Sequence, residues 1–244
     1  MIIQYSNICI NTRTGTMQCG VYRPEESGRF PSIIFYSEIF QRTDPIERSA
    51  KIIASHGFVV IVPEIFYELN PIGTVLGYDD EGKNKGNQDK FTKPLEHHDA
   101  DVEHIVEFIK IQEFCNQSIA SMGVCIGGHL AYRAALNPSI KAAFCLYATD
   151  IHSNTLPCEE GNDTLSRTDQ ITAEMVLVWG KQDPHVPTEG RQLIYQKLID
   201  NQCNFEWREV NAQHAFMRDE GERYDAALAI ECYRMAISLF QRVL

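Results

Sequence analysis

The six residues Gly123-Val124-Cys125-Ile126-Gly127-Gly128 constrain this chain more than any other stretch. An apolar segment, Ser118 to Met122, runs into them, and a segment with helical spacing, His129 to Leu136, runs out. They predict a sharp strand-to-helix turn with a thiol at its apex. The apex residue of such a turn is held in a strained backbone conformation, and side chains at Gly123 and Gly127 would collide as the helix folds back on the strand. A thiol placed there meets the positive end of the helix dipole and unpaired N–H groups, which favour the thiolate. A cysteine in an apolar run is ordinarily a small buried hydrophobe. A strained turn that presents a thiol has its best explanation in a reaction, so Cys125 is read as a nucleophile.

The rest of the chain alternates strand and helix. Ile2 to Ile10 and Met17 to Tyr22 predict two strands around a Thr14-Gly15 turn. Ser32 to Tyr36, Phe58 to Val62, Ala142 to Tyr147, Met175 to Trp179 and Phe205 to Val210 predict further strands, several of them the continuous apolar runs of a buried parallel sheet. Between them lie a helix with Ile46, Ala50 and Ile53 on one face, one with Val102, Ile105, Val106 and Ile109, and one over about Thr188 to Asp200. In the last helix the 4-3-4-3 spacing of Ala226, Ile230, Tyr233, Ile237 and Phe240 predicts the buried face. This pattern implies one α/β domain spanning residues 1–244, a mostly parallel sheet of about eight strands with helices on both faces. Residues 64–96 are polar and without period, and predict a long loop that walls or covers a pocket.

Ligands of such sheets bind at the carboxyl ends of the strands, which directs the search for partners of Cys125. Asp183 follows the strand Met175 to Trp179, and His214 follows Phe205 to Val210. Nucleophile, acid and histidine in that chain order match the α/β-hydrolase arrangement. In it the histidine takes the thiol proton and the aspartate fixes the tautomer and orientation of the ring. His185 is a rival base, but it stands only two residues from the acid, whereas the members of a triad converge from separate loops.

A net charge of −11 without a block of like charges argues against nucleic acid and anionic membranes as partners. The first residues lack a basic and apolar leader, and no apolar run approaches the roughly 18 residues of a membrane span, so a cytoplasmic protein is expected. Eight widely spaced cysteines without a C-x-x-C pair then read as reduced thiols, and the triplets at Asn116 and Asn162 as chance matches to a glycosylation site. His97, His98, Asp101 and His104 share a helix, but the acidic residues suit its start and the apolar residues dominate its next turns. No metal is expected there.

Tyr36-Ser-Glu38-Ile-Phe, the elbow around Cys125, Gly180-Lys-Gln-Asp183 and His214-Ala-Phe-Met-Arg218 together resemble the dienelactone hydrolase, or carboxymethylenebutenolidase, family. The resemblance runs from about Ile33 to the last helix. It implies hydrolysis of enol-lactones by a Cys-His-Asp triad through a thioester, with no cofactor. It further implies that Glu38 bonds the resting thiol, that the backbone N–H groups of Ile39 and Ile126 form the oxyanion hole, and that Arg218 pairs with a substrate carboxylate. Two positions depart from the family pattern. Residues 64–96 carry no arginine, only Lys83, Lys85, Lys90 and Lys93, where the family usually places a second pocket arginine, and Gln41 replaces a glycine common after Glu-Ile-Phe.

The expectation is therefore a cysteine-dependent hydrolase of small lactones or activated esters. A ligand-binding or regulatory protein that keeps the fold without turnover is the alternative, and the intact Cys125, Asp183 and His214 weigh against it. A cysteine amidase or glyoxalase reading ranks below both, because Ile126 stands where those proteins commonly carry histidine. The sequence is compatible with a monomer or a homodimer.

Overall fold

The computed structural model describes residues 1–157 and 163–244; Cys158 and the triplet at Asn162 begin outside the described residues. Its centre is an eight-stranded sheet in the order β1-β2-β4-β3-β5-β6-β7-β8. β1 (Ile3–Asn11), β2 (Thr16–Pro24) and β4 (Val59–Pro63) pair antiparallel. From β4 through β3 (Phe30–Tyr36), β5 (Cys115–Val124), β6 (Ile140–Leu146), β7 (Glu174–Gly180) and β8 (Phe205–Val210) every pairing is parallel. The structure thus has the mostly parallel sheet expected from the sequence.

Both faces of the sheet are covered because successive strand residues point to opposite sides. Ile34 and Tyr36 of β3 join one core with α3 (Leu95–Ile111), α4 (Ile126–Ala134) and α5 (Thr188–Asp200). Ile33 and Phe35 join the other with α1 (Asp44–Ala54) and α6 (Ala226–Val243). The middle strands are consequently buried over most of their length and read largely as apolar runs.

Two expectations need correction. The buried face of α6 is formed by Ala229, Cys232, Ala236, Leu239 and Phe240, while Ile230 is exposed and Tyr233 and Ile237 are only half-buried. Small side chains at 229, 232 and 236 let the helix backbone lie close to the sheet, so the face with the larger residues turns outward. Residues 64–96 are also not a structureless loop, since α2 (Asp80–Thr92) forms within them. The Asp79 carboxylate caps it by accepting from the Gly82 N–H at 2.8 Å.

The seven described cysteines are free. Two of the three histidines of α3 are taken up singly, His97 Nδ1 lying 2.7 Å from Glu68 and His104 Nδ1 2.6 Å from the Ala100 carbonyl, while His98 is buried against the Phe66 ring. Asp101 accepts from the buried Lys93 at 2.6 Å and from the Tyr67 hydroxyl at 2.8 Å. No described helix is long and apolar enough to cross a membrane.

Candidate active site

Five neighbouring parallel strands, β3, β5, β6, β7 and β8, deliver side chains to one edge of the sheet. Glu38 and Ile39 follow β3, Cys125 follows β5, Thr149 and Asp150 follow β6, Asp183 follows β7, and His214 follows β8. All of these except Asp183, which is bonded to His214, line a cavity of about 360 Å³, a volume suited to a small molecule.

Cys125 adopts φ 59° and ψ −125°, a strained conformation for a residue with a side chain. The turn exists because its flanks are glycines. A Cβ at Gly123 would strike the backbone of Gly127, and one at Gly127 would strike the carbonyls of Tyr36 and Ser37. The thiol is half-buried at the start of α4 and faces the cavity.

His214 lies within reach of that thiol from the opposite side, its Nδ1 2.7 Å from Asp183 Oδ2. Burial would lower the pKa of its imidazole, but the Cys125 sulfur and the Asp183 carboxylate outweigh burial and raise it to about 10. Asp183 responds in the other direction. Burial pushes its pKa up, yet His214 and the His185 N–H, which donates to Oδ1 at 2.8 Å, hold it below the ordinary carboxylate value. The two oxygens of Asp183 therefore have separate tasks, one gripping the loop and one gripping His214. The Tyr147 ring packs edge-on against His214 at 5.0 Å and limits its rotation. His185, the rival base, also stacks edge-on at 4.7 Å and lines the cavity, while its backbone anchors Asp183.

The candidate oxyanion donors lie beside this group. Ile126 is the first residue of α4, where helix geometry leaves an N–H without an intrahelical acceptor. Ile39 lines the cavity, and among the described residues neither N–H donates to a protein acceptor.

Glu38 is buried and faces Arg218, with Oε2 3.7 Å from Nη1. Burial raises the Glu38 pKa against the opposing pull of Arg218 and His214. The resemblance implies a bond from Glu38 to the thiol; in this structure the ionic partner of Glu38 is Arg218. Arg218 lies inside the cavity, with its guanidinium 4.2 Å from the centre of the Tyr78 ring and its Nε donating to the Glu220 carbonyl at 3.0 Å.

Sequence reasoning missed the other wall. Lys83, Asn87 and Lys90 of α2 face the cavity, as do Thr149 and Asp150. The capping signal Asp79-x-x-Gly82 and the 4-3 spacing of Lys83, Asn87 and Lys90 could have revealed the helix. The rule that ligands gather at strand carboxyl ends could have revealed Thr149 and Asp150 after β6.

Comparison with known proteins finds relatives along nearly the whole chain. A Saccharomyces cerevisiae protein assigned as a carboxymethylenebutenolidase is 39% identical over 241 residues, spanning 94% of this chain and 88% of that protein. The carboxymethylenebutenolidase of Pseudomonas putida is 23% identical over 201 residues, spanning 82% and 80%. A crystal structure assigned as a dienelactone hydrolase from Klebsiella pneumoniae superposes with a TM-score of 0.86 over 99% of both chains at 20% identity, which shows a shared fold. A match extending over residues 17–244, from β2 to the end of α6, makes this chain a member of the dienelactone hydrolase family.

Proposed function

We propose that the chain hydrolyses small lactones or activated carboxylic esters through a thioester on Cys125. The observation that carries this reading is His214, buried within the cavity between Asp183 at 2.7 Å and the strained Cys125. His214 takes the thiol proton, and the sulfur attacks the carbonyl carbon. Negative charge gathers on the carbonyl oxygen, where the N–H groups of Ile39 and Ile126 receive it. As the intermediate collapses, the C–O bond breaks and the leaving oxygen takes the proton from His214. In a lactone that oxygen stays tethered to the acyl group. Water then attacks the thioester, His214 accepts its proton and returns it to the departing sulfur, and the acid is released.

A thiolate suits esters whose leaving group departs readily, such as an enolate or a phenolate. Arg218 is the group for a substrate carboxylate, since a guanidinium can pair with one through two parallel hydrogen bonds. Glu38 faces Arg218 at 3.7 Å, so an anionic substrate competes with Glu38 for the guanidinium.

The test is to incubate the protein with p-nitrophenyl acetate and a panel of enol-lactones, then to map acyl adducts by intact and peptide mass spectrometry. A mass increase on the peptide containing Cys125, and none in Cys125→Ala, is expected. Turnover that persists in Cys125→Ala would overturn the reading.

A further inference from the structure

Lys90, Thr149 and Asp150 line the same cavity as Arg218, and the proposed reaction uses none of them. Lys90 is buried on the inner side of α2, and its ammonium donates to both carboxylate oxygens of Asp150 at 3.1 Å. The Thr155 hydroxyl donates to the same carboxylate at 2.8 Å. Burial raises the Asp150 pKa, but Lys90 outweighs it, so the carboxylate is ionised and the pair is internally neutral. Lys90 has three N–H bonds. Two are met by Asp150, and the ammonium, which also lies 4.3 Å from the centre of the Phe91 ring, lines the cavity.

Thr149 lies next to this pair and is only 6% exposed. Its Oγ1 has no well-formed hydrogen bond to any described protein group, although its dipole also helps to keep Asp150 ionised. A buried hydroxyl left with only this poorly aligned contact to the neighbouring carboxylate carries a desolvation cost that a ligand can remove. Backbone strain holds it in place: Tyr147 and Asp150, on either side, have φ of 37° and 66°. The Thr149 N–H donates to the carbonyl of Cys125 at 3.3 Å, so this turn is fixed directly to the nucleophile.

We propose that Lys90, Thr149 and Asp150 form a second polar subsite, which takes an uncharged oxygen function of the substrate, a hydroxyl or a carbonyl. The inference deepens the hydrolase reading and rests on it. A neutral group fits better than an anion because Asp150 already compensates Lys90, and a second carboxylate would face Asp150 at short range. The substrate thus meets two different poles in one cavity, a guanidinium at Arg218 and a hydrogen-bonding pair beside Cys125.

Two matched pairs of esters test this: p-nitrophenyl butyrate against p-nitrophenyl 3-hydroxybutyrate for the acyl side, and 4-methylphenyl acetate against 4-(hydroxymethyl)phenyl acetate for the leaving side. Wild type is expected to prefer the hydroxylated member of one pair by about tenfold in kcat/KM, the scale of one good hydrogen bond. Thr149→Val should bring that ratio close to one, a preference lost with the bond that made it. Lys90→Met would strand the buried Asp150 carboxylate, so the double variant Lys90→Met/Asp150→Asn is measured beside it and should erase the preference too. Equal rates within both pairs, or a preference that survives these substitutions, overturns the proposal. Dissociation constants of the same esters on Cys125→Ala read the subsite without turnover. If wild type hydrolyses none of the esters, the hydrolase reading fails, and those dissociation constants still decide the subsite.

Discussion

Oε2 of Glu38 lies 3.7 Å from Nη1 of Arg218, and both side chains line the cavity that holds Cys125. Their pairing makes anion recognition a competition. Burial disfavours the Glu38 carboxylate, and a substrate carboxylate that takes Arg218 removes the charge that opposes this. Glu38→Gln should therefore lower KM for a carboxylate-bearing ester by roughly tenfold and leave its methyl ester nearly unchanged. Steady-state kinetics on the two esters check this, and an equal shift in both would show that Glu38 does not hold Arg218 back.

Arg218→Ala should act in the opposite sense. A desolvated charge-assisted pair is worth about 1.5–3 kcal/mol, so the ratio of kcat/KM for carboxylate over methyl ester should fall about ten- to a hundredfold. The stacking of the guanidinium over Tyr78 at 4.2 Å fixes its plane, so Arg218→Lys should recover only part of the loss. An unchanged ratio in Arg218→Ala would leave the arginine as a partner for Glu38 alone.

The proposed catalytic group can be taken apart one residue at a time. Cys125→Ala and His214→Ala should abolish turnover with the fold intact by circular dichroism. Asp183→Asn keeps nucleophile and base but loses the charge that orients the ring, and should cost on the order of 10²–10⁴ in kcat. Full activity in either alanine variant would refute the assignment.

The residues of this group were legible in the sequence because each sits where backbone rules speak loudly. The elbow needs glycines at 123 and 127, Asp183 follows an apolar strand and His214 an alternating one, each by a few residues. The wall formed by α2 was not legible, because the helix turns Lys83, Asn87 and Lys90 toward a polar cavity instead of an apolar core. A periodicity argument looks for apolar residues and finds none there. α6 failed for a related reason. Its buried face is made of Ala229, Cys232 and Ala236, chosen for close approach, while the larger Ile230 faces solvent.

The pKa of the His214 imidazole, raised from 6.5 to about 10, has a consequence for stability. The folded state holds the proton more tightly than the unfolded chain does. That contribution is complete below about 6.5 and is lost as pH rises through 10. Asp183 works at the other end: its folded pKa lies below 3.8, so its contribution is present above 3.8 and is lost as pH falls through the folded value. Wild type should lose stability between pH 7 and 10 more steeply than Cys125→Ala, in which the sulfur no longer supports the imidazolium. Denaturation midpoints across this range, with an NMR titration of His214, check it. A His214 resonance that titrates near 6.5 in both proteins would overturn the assignment.

Gly86 tests whether α2 supports the oxyanion loop. A Cβ at this position would lie 2.7 Å from the Ile39 carbonyl oxygen and 2.9 Å from Ile39 Cβ, so the helix or the loop must shift to accommodate it. Alanine is otherwise the better helix former by about 1 kcal/mol, which offsets much of the strain in overall stability. Gly86→Ala should therefore unfold close to the wild-type midpoint while kcat falls severalfold, since a displaced Ile39 N–H no longer meets the developing charge. Asn84→Ala, on the exposed side of the same helix, gains propensity without the collision and should keep full activity. Equal kcat in Gly86→Ala and Asn84→Ala would show that contact with α2 does not position Ile39.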